Sequence, residues 1–263
     1  MEVGWSRLVA AAAMCAALYA VGSFSTAYIV SPFGRGQFRP AVVIPAAFAL
    51  VFGPTAAAVG AALGTLIADS VKHGTLYIPS LVAAVPGNFV GFYLFGKMLE
   101  GDFTWDRYVV ASQLSLAVGC SMVAFLYVPT VWALGALPPD LSPAELLLLA
   151  VGLTVWFFST EYPFMLILGP PIVSALSAVS PRLRERALDG GPSWLRAMVA
   201  PGLVLVALAL ALFSGASQPV VEALAVKLSK EYASATMALM RLMFLGTGLG
   251  MTAVGLLLWR RGG

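Results

Sequence analysis

RPAVVIPAAFALVFGPTAAAVGAALGTLIADSVKHGTLYIPSLVAAVPGNFVGFYLFG, residues 39–96, decides the fold. Three apolar segments follow one another almost without loops. Pro40 to Phe52 ends at Gly53-Pro54, Thr55 to Ala68 ends at Asp69, and Ile78 to Gly96 carries Pro86-Gly87-Asn88 in its middle. At 1.5 Å per residue the first two reach only about 20 Å, against a hydrocarbon core of about 30 Å. Their Ala and Gly content suits close backbone contact between helices. The polar groups Arg39, Asp69, Lys72, His73 and Asn88 gather at the breaks. Irregular backbone at membrane depth survives only inside protein or along a cavity. The stretch is therefore expected to shape one wall of a solute cavity.

Composition agrees. Of 263 residues, 60% are hydrophobic and 10% charged, with a mean hydropathy of +0.92. A soluble domain carries about 25% charge, so the chain is an all-α polytopic membrane protein in contact with the lipid bilayer. A net charge of +3 is too small to imply nucleic acid. Cys15 and Cys120 both lie in apolar segments and imply no disulfide framework. A single histidine excludes a His-rich metal site.

Outward from the central stretch, the first helix is expected over Leu8 to Phe24. Ala12, Ala16 and Ala20 form one small-residue stripe on it, either internal packing or a docking face for a partner subunit. Ser25 to Arg39 is a loop with enough aromatics to act as a lid or as an interfacial anchor. Lys97 to Arg107 is a solvated loop, and a fifth helix follows over Tyr108 to Trp132 with Gln113 and Ser115 inside it. Ser142 caps the next helix, with Pro143 at its first position. From there to Val179 the chain is too long for one crossing, and Ser159 to Pro163 is expected to break it. Ala144 to Phe158 then lies on the outer surface or spans. Ala197 to Phe213 and Thr236 to Trp259 are two further spans, with an amphipathic surface segment between them. Gly246 and Gly250 make a GxxxG pair, and Arg241 sits one turn inside the last span.

Lys and Arg set the topology. With the N-terminus inside and eight spans, nine basic residues fall inside and five outside. Both termini are then cytoplasmic, in the cell membrane. The chain divides into a six-span core, 1–184, and a basic linker with a two-span tail, 185–263.

Gly91 to Met98, GFYLFGKM, has the spacing of a phosphate-binding loop but lacks the hydroxyl residue that would hold Mg²⁺ and sits in a membrane helix. Nothing else suits ATP, so energy from nucleotide would come from another subunit. No catalytic set, metal site or cofactor motif is present, and no enzyme is expected. Glu161 is the sharpest candidate: an intramembrane carboxylate is costly and by default functional. It stands beside Tyr162 and close to Trp156, which suits a cationic or nitrogen-rich aromatic ligand. At the start of an outer span, its partner is expected to be the ligand, Arg35 or Arg39. Asn88, two residues after Pro86, offers a second polar spot, or a bond between helices. Asp69 and His73 read as end-of-helix groups.

The alanine stripe of the first helix, RPAVVIPAAFALVFGPTAAAVGAALGTLIAD and IPSLVAAVPGNFVGFYLFG together resemble the first four helices of the substrate-binding S component of energy-coupling factor (ECF) transporters. The likeness covers Leu8 to Arg184. It implies a subunit that captures a small-molecule micronutrient, with Ala12, Ala16 and Ala20 docking a transmembrane coupling protein and partner ATPases supplying energy. The first loop and helices four to six would hold the ligand, through Arg35, Arg39, Asn88, Gln113, Trp156, Glu161 and Tyr162. The start MEVGWS lacks the family's Met-His used for nickel or cobalt, and the two-span tail exceeds the usual six spans. A stand-alone secondary transporter of a small organic solute is the competing reading, and a membrane scaffold protein a third.

Overall fold

A computed structural model describes residues 4–31, 34–101, 103–179, 183, 195–214 and 230–262, and among them the structure is helical. Helix α1 runs over Trp5–Ser25, α2 over Val43–Phe52 behind a tight turn at Pro40–Val42, and α3 over Pro54–His73. A wide turn, Ser80–Ala84, leads into α4, Val85–Met98. Then come α5, Trp105–Ala133, α6, Pro143–Val179, α7, Ala200–Phe213, and α8, Lys230–Gly262. Five of these segments are long and apolar enough to cross a membrane: Trp5–Ser25, Pro54–His73, Ser80–Met98, Trp105–Ala133 and Glu145–Gly169. Three are shorter: Pro40–Phe52, Ala200–Phe213 and Phe244–Leu257.

Local chemistry sets the ends. Gly53, at φ 89°, turns the chain between α2 and Pro54 at the first position of α3. Gly74, at φ 69°, closes α3 in the left-handed conformation. α3 is therefore longer than its apolar run. Its 20 residues reach about 30 Å, and Asp69 lies inside it rather than at its end. Thr104 caps α5 by accepting from the Arg107 N–H at 3.2 Å. Ser142 and Glu145 exchange the two bonds of a capping box at the start of α6.

α6 corrects the expected break. It is continuous over 37 residues and passes through Pro163. The hydroxyls of Ser159 and Thr160 bond back to the Trp156 carbonyl at 3.1 and 2.7 Å. Pro163 lacks the N–H that would bond the Ser159 carbonyl, and such prolines are tolerated inside membrane helices. Glu161 thus sits in mid-helix, not at the head of an outer span. Pro86 is absorbed differently, directly behind the wide turn at Ser80–Ala84, a form such helices adopt where the ladder is interrupted.

Small residues let α1 and α3 touch. A Cβ on Gly60 would lie 2.4 Å from the Cys15 Cβ, and one on Gly64 would lie 2.7 Å from the Ala16 carbonyl oxygen. Gly91 and Gly119 bring α4 and α5 together, where a Cβ on either would lie 3.2 Å from a backbone carbonyl oxygen of the other helix. In the tail the contact falls on Gly202 of α7 and Gly248 of α8, while Gly246 and Gly250 have nothing within 4 Å among the described residues. Arg241 donates to the Leu212 carbonyl at 2.8 Å and lies over the Phe213 ring. The linker and the amphipathic segment 215–229 lie outside the described residues.

Candidate functional site

The loops after α1, α3 and α5 meet at one end of the bundle and close over a cavity. The first of them folds back on itself: Phe38 N–H bonds Ile29 O at 2.8 Å, and Ser31 N–H bonds Gly36 O at 2.9 Å. Gly36, at φ 76°, lies against the Phe157 ring, where a Cβ would come within 2.9 Å. The loop is pinned on both sides. Lys72 of α3 donates to the Ala27 carbonyl at 2.6 Å, and Arg35 donates to the Ala136 carbonyl beyond α5. Pro32 and Phe33 lie outside the described residues.

The cavity has a volume of about 140 Å³ and is partly open to the outside. Rings line it from several elements: Phe92 of α4, Tyr127 of α5, Phe157 of α6, and Tyr77 between α3 and α4. Tyr77 stacks on His73 with centroids 3.8 Å apart and shares a 3.1 Å hydroxyl contact with Tyr127. Burial, with the Tyr127 hydroxyl beside it, pushes the Tyr77 phenol above its ordinary pKa, so it serves as a neutral hydroxyl.

One ion pair anchors the wall. Arg39 and Asp69 are 8% and 3% exposed, and Nη2 meets Oδ1 at 2.6 Å. Gln37 donates to the same oxygen at 3.0 Å, and Arg39 also bonds the Thr65 hydroxyl. This network ties the loop to α3. It corrects the end-of-helix reading of Asp69, and it takes Arg39 away from Glu161 as an ion-pair partner.

Arg35, Arg39, Asn88 and Glu161 all line the cavity. Asn88 makes the bond between helices, its Oδ1 accepting from the Tyr19 hydroxyl of α1 at 3.4 Å, and its amide bonds the Ala84 carbonyl at 2.8 Å. Gln113, Trp156 and Tyr162 do not line the cavity. Gln113 donates to the Tyr162 hydroxyl at 2.8 Å inside the bundle. Trp156 packs into the core. Along a helix, residues four apart share a face and adjacent ones do not. Phe157 and Glu161 therefore point together, while Trp156 and Tyr162, each one position away, do not. Gln37, Asp69, His73, Tyr77, Cys120 and Tyr127 line the cavity without having been singled out as ligand contacts. The spacing Asp69, Lys72, His73, one face of α3, was the available signal.

The stripe Ala12, Ala16, Ala20 is buried, each alanine at most 7% exposed. It is covered by α3 of the same chain. The outward face of α1 carries Ala13, Met14, Ala17 and Leu18 instead.

An all-α membrane bundle with a cavity lined by rings and polar groups under a pinned loop is the architecture of a solute-binding membrane subunit. The family model of the ECF-type riboflavin transporter S component matches residues 6–177, and the chain belongs to that family of substrate-binding subunits of ECF transporters. No curated protein and no solved structure gives a match.

Proposed function

We propose that the chain captures riboflavin from the outer side of the cytoplasmic membrane for an importer driven by ATP. ATP hydrolysis belongs to partner ATPases, reached through a transmembrane coupling protein. The observation that carries this reading is the lining of the cavity. Four rings, Tyr77, Phe92, Tyr127 and Phe157, suit a flat heteroaromatic ligand, and Gln37, Asn88 and Glu161 suit its polar edges. Residues 1–184 are the capture unit and 185–263 an accessory tail. The coupling protein docks on the outward stripe of α1 at Ala13 and Ala17, one register step from the stripe that α3 covers.

Uptake by proteoliposomes tests the proposal. Riboflavin should accumulate only when the coupling protein, the ATPases and ATP are all present. Accumulation by the chain alone on an ion gradient would overturn it in favour of a stand-alone secondary transporter.

A further inference from the structure

Glu161 has unused acceptor capacity on the cavity wall. Its side chain belongs to a residue 8% exposed, and it lines the cavity together with Cys120 of α5. The hydrogen bond it receives among the described residues comes from the Cys120 thiol, Sγ to Oε2 at 3.6 Å. A thiol is a weak donor, and an ionised carboxylate offers two oxygens with about four acceptor positions. The cation whose charge acts on it, Arg39, is committed to Asp69 and Thr65. A buried charge left with so little is costly unless something else supplies donors.

The chemistry of that something is restricted. A cationic ligand is disfavoured because Arg35, Arg39 and Lys72 line the same cavity against two carboxylates, Asp69 and Glu161. The imide edge of a flavin ring is a poor match, since its one N–H stands between two carbonyl oxygens that a carboxylate repels. Adjacent hydroxyl groups match well: two O–H donors meet two carboxylate oxygens. We propose that Glu161 holds neighbouring hydroxyls of the ligand's polyol chain, with the Cys120 thiol as the weak donor they replace. The proposal rests on the riboflavin reading above and adds which part of the ligand faces α6.

Two flavins separate the possibilities. Riboflavin carries a ribityl chain, and lumiflavin carries a methyl group in its place. Both are titrated by flavin fluorescence against the wild type, Glu161→Gln and Glu161→Asp. Loss of hydrogen bonds to the carboxylate should weaken riboflavin about 10- to 150-fold in Glu161→Gln and leave lumiflavin within about twofold. Glu161→Asp should lose less, again for riboflavin alone. Unchanged lumiflavin binding also reports that each variant is folded. Equal loss for both flavins, or no loss for riboflavin, overturns the assignment while the riboflavin reading stands. Failure of the wild type to bind either flavin overturns both.

Discussion

Removing one member of the Arg39–Asp69 pair should harm the protein more than removing both. Both side chains are nearly covered, 10% and 4% exposed, so solvent screens the pair little. Asp69→Leu leaves the guanidinium with the Thr65 hydroxyl. Arg39→Met leaves the carboxylate with the Gln37 amide. An uncompensated buried charge costs about 3–5 kcal/mol. At about 2–4 °C per kcal/mol for a chain of this size, each single variant should melt about 6–20 °C lower. The double variant keeps no buried charge at the site. It loses only what Gln37 and Thr65 donate or accept there, about 1–2 kcal/mol, and should melt above either single variant. Cys15 and Cys120 are free and buried, so a thiol-reactive fluorophore reports unfolding directly. Strictly additive losses in the double variant would refute the coupling, because independent sites add and a pair does not.

Two further substitutions test the packing and the docking face. Ala16→Trp should abolish folding, since Ala16 lies against Gly64 of α3. Ala17→Trp, on the outward face, should fold and bind flavin normally yet fail to pull down the coupling protein. Recovery of that protein at wild-type yield would remove the face from consideration. Gly60→Ala should destabilise by about 1–3 kcal/mol through overpacking against Cys15. Gly246→Ala, with open space around it, should leave the same melting curve unchanged or higher.

Much of the fold was legible because apolar runs and punctuation dominate it. Gly53-Pro54 marked the α2–α3 turn, and Ser142-Pro143 marked the start of α6. The end of α3 was not legible: the helix continues through Asp69, Ser70 and Lys72 to a glycine cap that hydrophobicity does not register. The unbroken α6 was missed because shelter of a proline by neighbouring helices is a tertiary effect. At the site, Glu161 stood out because a charge inside an apolar helix is rare. Its supposed companions Trp156 and Tyr162 were chosen by adjacency in sequence, which on a helix selects different faces. Arg39 with Asp69 stayed hidden for another reason. The two are 30 positions apart, and only the packing of the first loop on α3 brings them together. The alanine stripe showed that a close helix contact exists, but its partner, Gly60 and Gly64, lies in the same chain.

Equilibrium dialysis of labelled riboflavin against the purified chain, with no coupling protein or ATPase present, tests the central claim most directly. One equivalent should bind per chain, saturably and without ATP, and unlabelled riboflavin should displace it. Absence of saturable binding by the isolated chain would contradict its role as a riboflavin-capture subunit.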